Sequence, residues 1–120
     1  MDYKFINIEY LDSVSGGDSQ IISEIVVMFK DQSIEIYNEM RSLLAEKQYS
    51  LLGSLAHKAK SSVLIMGMSD LGLMLKTLEL NAKEGIGSEL YESYVTRFKV
   101  ETDAAVKELE DLVSNRLTRK

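Results

Sequence analysis

No cysteine occurs among the 120 residues, which removes disulfide frameworks, thiol nucleophiles and thiolate metal sites together. Proline is missing as well, so nothing in the chain forces a break inside a helix. Glycine is scarce and uneven: Gly16-Gly17 and Gly85-x-Gly87 bracket long stretches that hold the other three. Positive charge is not in excess, since 14 Lys and Arg against 19 Asp and Glu leave a net charge of -5 at pH 7. A binder of phosphate backbones carries the opposite balance, so no nucleic-acid partner is expected. Long apolar runs are lacking too: Ile25 to Phe29 and Val63 to Met66 fall far below the roughly 20 residues of a membrane span, and no membrane partner is expected. The start, Met1-Asp2-Tyr3-Lys4-Phe5, has no basic stretch leading into an apolar one, so no secretory signal is expected and the cytoplasm is the expected compartment.

What remains is ordinary for a folded chain, with 45% hydrophobic and 28% charged residues and no linker or repeat to divide it. A single domain over residues 1–120 is expected. Asp18 can cap a helix in which Ile22, Ile25, Phe29, Ile36, Met40 and Leu43 recur at helical spacing to about Glu46. A second helix starts near Gln48, lines up Leu52, Leu55, Ala59, Ser62, Val63 and Met66, and stops at Gly67. Ser69 can cap a third carrying Leu71, Met74, Leu75, Leu78 and Ala82, and Ser88 a fourth carrying Tyr91, Tyr94, Phe98, Ala105, Leu109 and Leu112. Short connections between long amphipathic helices predict an all-α, antiparallel up-down four-helix bundle, with a short extra N-terminal helix near Ile8 to Val14. Such a bundle leaves no apolar face over, so a monomer is expected.

Three features are read as structural. Gly16-Gly17-Asp18 lacks the Gly-Lys-Ser/Thr of a phosphate loop and is a turn with a cap. Met28, Met40, Met66 and Met74 stand at or beside core spacing and are expected to fill the core. The acidic residues from Glu101 to Asp111 stand among Lys99 and Lys107 and are expected to form a solvated face.

His57 is the only histidine. On a helical projection it points away from Leu52, Leu55, Ala59 and Met66, and therefore outward. Gly53 and Ser61 lie one turn to either side, with Ser54 and Lys60 three residues away, so small residues surround the ring where better helix formers would be the unremarkable choice. That clearing suits a partner bringing a bulky group to the ring nitrogen. Lys60 places an ammonium near the imidazole, favouring its neutral, nucleophilic form and able to neutralise an anion held on it, and Lys58 adds a second positive charge. No Asp or Glu stands three or four residues from His57 and no second histidine exists, which weakens hydrolase and metal readings and leaves no metal site expected. Leu64 is an apolar side chain on the same outward stripe, and with Gly53, Ser54 and Lys58 it completes a candidate docking surface.

The run Ala56-His57-Lys58-Ala59-Lys60-Ser61-Ser62, followed by Gly67, resembles the histidine phosphotransfer (HPt) domains of two-component phosphorelays. Gly17-Asp18 with Phe29, and Leu78-Glu79 with Ala82, resemble the family's flanking helices. Two positions depart from the family pattern: Ser61 stands where glycine is usual, and Gln48 where an aspartate cap is frequent. The resemblance implies that His57 accepts a phosphoryl group from a receiver-domain aspartate and passes it to another receiver, and that Lys60 stabilises that group. Ser61, Ser62 and Gly67 are then structural neighbours of the site, with the Ser62 hydroxyl expected to return to the Lys58 carbonyl. The partners implied are response-regulator receivers and a hybrid histidine kinase. The chain would be a carrier without an ATP site or cofactor of its own, the Mg²⁺ belonging to the receiver. A helical adaptor without phosphoryl chemistry, or the phosphoacceptor domain of a chemotaxis-type kinase, are the alternatives.

Overall fold

A computed structural model describes residues 4–118 as an all-helical bundle: α1 (Ile8–Ser15), α2 (Ser19–Ala45), α3 (Tyr49–Ile65), α4 (Ser69–Glu84) and α5 (Tyr91–Thr118), with a 3₁₀ turn over Ser88–Leu90 leading into α5. The four long helices run up and down in sequence order. Their ends are set by local chemistry. Asn7 Oδ1 accepts the Tyr10 N–H at the start of α1, and Gly16, at φ 66°, closes it in the left-handed region that only glycine adopts freely. Asp18 then accepts the N–H groups of Gln20 and Ile21 at 2.8 and 3.3 Å and opens α2. Gly67, at φ 77°, ends α3, with the Met68 N–H returning to the Val63 carbonyl.

Two expected caps are not caps. Met68, which offers no side-chain hydrogen bond, occupies the cap position of α4, and Ser69 is its first helical residue. Ser88 begins the 3₁₀ turn, preceded by Gly87. Burial of Met68 in the core holds the start of α4 where a polar cap would otherwise serve.

The core draws on every helix, and the predicted stripes supply most of it. Ile25, Leu43, Ser62 and Tyr94 sit at its margin, only half-buried. Met28 departs furthest from expectation: it is 59% exposed, because Val26 and Phe29 carry the α2 stripe past it. Exposed Val27, Ile65, Leu73 and Leu80 likewise show that some apolar surface is left outside the bundle. At one end, Tyr91 meets Tyr49 edge to face at 5.1 Å.

At 27 and 28 residues, α2 and α5 outrun α3 and α4, at 17 and 16, and the molecule is accordingly elongated, 52 × 20 × 20 Å. The N-terminal segment covers the overhang. Glu108 of α5 accepts the backbone N–H groups of Lys4, Phe5 and Ile6 at 2.9–3.1 Å, Ile6 and Leu11 enter the core, and α1 packs on α2. No helix of the described residues is long and apolar enough to cross a membrane.

Candidate functional site

The antiparallel pairing of α3 with α4 decides what surrounds His57. Both helices carry a glycine within their first five residues, an unfavourable choice unless a neighbour must come close. A Cβ on Gly53 would stand 3.0 Å from the Glu79 carbonyl oxygen and 2.9 Å from Lys83 Cγ, and one on Gly72 would stand 2.8 Å from Leu64 Cδ2. Gly53 thus faces Lys83, and Leu64 faces Gly72. His57 lies four residues on from Gly53, Glu79 lies four back from Lys83, and the register brings the two together.

His57 is exposed, as expected, with 58% of its side chain open to solvent. It is not uncoupled. Its Nδ1 lies 3.1 and 3.0 Å from the two carboxylate oxygens of Glu79, whose own side chain is only 12% exposed. Lys60 Nζ approaches Glu79 Oε1 at 3.6 Å, and Lys83 Nζ approaches Oε2 at 3.4 Å. Burial pushes the Glu79 carboxyl upward, but the hydrogen bond and charge of His57, the hydrogen bond from Lys83 and the charge of Lys60 together outweigh it and hold the group below its ordinary value of 4.5. Glu79 is therefore ionised near neutral pH. An ionised carboxylate only accepts, so the ring nitrogen facing it must donate. In the neutral ring that places the proton on Nδ1 and leaves the lone pair of the imidazole on Nε2.

The absence of acidic residues near His57 in sequence misled on this point, because the orienting carboxylate comes from the next helix. Glu79 and Lys83 are the site residues that sequence reasoning assigned no role. A signal was available: the Glu79–Lys83 pair has the i,i+4 order favoured on a helix surface, beside a helix whose glycine announces close packing.

The remaining expected site residues divide. Lys60 stands beside the ring through Glu79. Ser61 and Ser54 are exposed, and their hydroxyls donate to carbonyls one turn back, those of His57 and Ser50, each at 3.4 Å. Lys58 is exposed. Three expectations need correcting. Gly53 is buried against α4, so it makes room for a helix of this chain and offers no surface to a partner. The Ser62 hydroxyl donates to Gln32 Oε1 of α2 at 3.3 Å in place of the Lys58 carbonyl. Gly67 lies ten residues along the helix from His57, about 15 Å at 1.5 Å per residue, and lies against Asn7, whose Cβ would be 2.7 Å from a Cβ there. It shapes the end of α3 and not the surroundings of the ring. Leu64 is 41% exposed, with its methyls lying over Gly72.

On the α2 side of the histidine helix, Ile25, Met28, Phe29, Gln32, Ser62, Ile65 and Met66 line an apolar groove of about 110 Å³. Among the described residues, no group of three His, Cys, Asp or Glu side chains is placed to hold a metal ion. No family model, no curated protein and no solved structure matches the chain.

Proposed function

We propose that this chain is a phosphoryl carrier, a histidine phosphotransfer protein whose acceptor atom is Nε2 of His57. One observation carries the reading: an exposed imidazole has its Nδ1 against an ionised, largely buried carboxylate, so its nucleophilic lone pair is on the other nitrogen. In the transfer, that lone pair attacks the phosphorus of a partner's aspartyl phosphate. The Nε2–P bond forms as the P–O bond breaks, and the aspartate leaves as a carboxylate with the bonding pair. The Nδ1 proton stays in place. The ring becomes a phosphoimidazolium, whose positive charge Glu79 stabilises through the same hydrogen bond. Return of the phosphoryl group to a second receiver is the reverse sequence.

Glu79 lies on the Nδ1 side of the ring, away from the face where water would attack the phosphorus, which suits a carrier better than a hydrolase. The ammonium of Lys60, 3.6 Å from the carboxylate that faces the ring, is the cation that would turn to the arriving anion. Response-regulator receivers, fed by a hybrid kinase, are the partners this chemistry calls for, and each would supply the Mg²⁺ and most of the catalysis. Ser54, Lys58, Ser61 and Leu64, with the groove at Met28 and Ile65 further along the histidine helix, offer small, basic and apolar surface for such a domain.

The test is incubation with phosphorylated receivers while following the label on this chain. Label on His57 that is lost in acid and kept in base, and that disappears in a folded His57→Gln variant, is the expected result. A folded wild-type chain that takes no label from receivers or from a small phosphodonor would reject the reading and leave a helical adaptor.

A further inference from the structure

We propose that Lys83 is a second phosphoryl-holding cation, parked on Glu79 in the free protein and directed to the site by a notch at Gly53; the proposal rests on the phosphotransfer reading of His57. The notch is visible in the packing. The Lys83 stem lies against α3 where Gly53 has no side chain, since a Cβ there would come within 2.9 Å of Lys83 Cγ. Four residues further along α3 is His57. The Lys83 ammonium ends on the same Glu79 oxygen, Oε2, that lies 3.0 Å from His57 Nδ1.

An ordinary i,i+4 pair on a helix surface needs neither a glycine on the neighbouring helix nor a shared third partner. Here one carboxylate serves two ammonium groups and a ring N–H. With a neutral ring, the two lysines and Glu79 leave one positive charge over. A phosphoryl group brings close to two negative charges and leaves the ring singly positive, so within the group of side chains joined at Glu79 the charges balance when Lys60 and Lys83 both take part. With Lys60 as the only cation of that group a negative charge would remain. Both ammonium groups stand off Glu79 at 3.6 and 3.4 Å, longer than a tight charge-assisted hydrogen bond, and a lysine exchanges partners by rotation about its own stem.

The experiment uses the full chain as wild type, Lys83→Met, Lys83→Gln and Lys83→Arg, loaded with phosphoramidate, with two readouts: the initial rate of His57 labelling, and the pH titration of the phosphohistidine followed by ³¹P resonance. Removing the charge should slow labelling about threefold to fivefold, the scale of a partly exposed charge pair. It should also move the phosphoryl titration to higher pH, because the dianion loses a counter-ion. Lys83→Arg should restore both, and Lys83→Gln should behave as Lys83→Met, which separates charge from packing. Rates and titrations that match wild type in both neutral variants would overturn the proposal and leave Lys83 as a surface ion pair. Wild type and all variants folded but unlabelled would overturn it together with the reading of His57, a pattern distinct from the first.

Discussion

The two long seams of this bundle are built on different principles. α2 and α5 bring large side chains to the core, Phe29, Ile36, Met40, Phe98 and Leu109 among them, and the ion pairs between these two helices are exposed and one to one: Arg41 with Glu92, Lys30 with Glu110. Between α3 and α4, Gly53 lets the backbones close up while Gly72 makes room for the Leu64 side chain, and the charges at the edge converge on a single, largely buried carboxylate. Side-chain bulk holds helices together and is tolerant at its rim. Close backbone approach instead puts the edge residues of two helices within reach of one another, and that is what sets a lone histidine against a carboxylate of the next helix.

If that contrast is right, damage to the first seam should cost stability and spare the chemistry. Phe98→Ala, at a fully buried position, is expected to lower unfolding free energy by about 3–5 kcal/mol in urea titrations, while the folded fraction keeps the His57–Glu79 hydrogen bond, visible as the Nδ1-protonated tautomer in ¹⁵N spectra. Loss of that tautomer in the folded fraction would join the two seams.

Gly53→Ala against Gly72→Ala sharpens the comparison within the second seam. Alanine is the better helix former by about 1 kcal/mol at both positions. At Gly72 the new methyl meets only the end of the Leu64 side chain, which can turn away, and the net change should stay within about 0.5 kcal/mol. At Gly53 it meets the Glu79 carbonyl, a piece of backbone that cannot, so a loss of about 1–3 kcal/mol is expected and α4 must shift with Glu79 upon it. Equal effects at the two sites would remove the argument for close approach.

Glu79→Gln tests the carboxylate. A group held below its ordinary value in the folded state contributes stability that is present above that value, 4.5 here, and is lost as pH falls through the lower, folded one. Wild type should therefore be the more stable at pH 7, with the gap to Glu79→Gln closing as the medium is acidified below 4.5. A gap that does not change with pH would mean that His57, Lys60 and Lys83 do not act on this group. The smallest effect belongs to the rim of the first seam: Glu110→Gln removes the exposed pair with Lys30 and should change stability by no more than about 0.5 kcal/mol.

Much of this molecule could be read from the order of its residues. The absence of proline, the caps at Asp18 and the Gly16-Gly17 turn, and the recurrence of Leu71, Leu75, Leu78 and Ala82 determined helix number, direction and inward face, because helix periodicity and termination are local and each helix must hide its own stripe. The outward placement of His57 followed from the same periodicity. Which residue stands beside it did not, because that depends on the register between two helices, and register is set by contacts such as Gly53 under Lys83 and Leu64 over Gly72 that have no signature within either helix alone. Gly53 was thus legible as small but not as buried, and Glu79 as a helix-surface acid but not as the group that orients the ring. A one-dimensional pattern specifies faces, whereas the meeting of two faces, and with it the chemistry at their edge, exists only once the helices have packed.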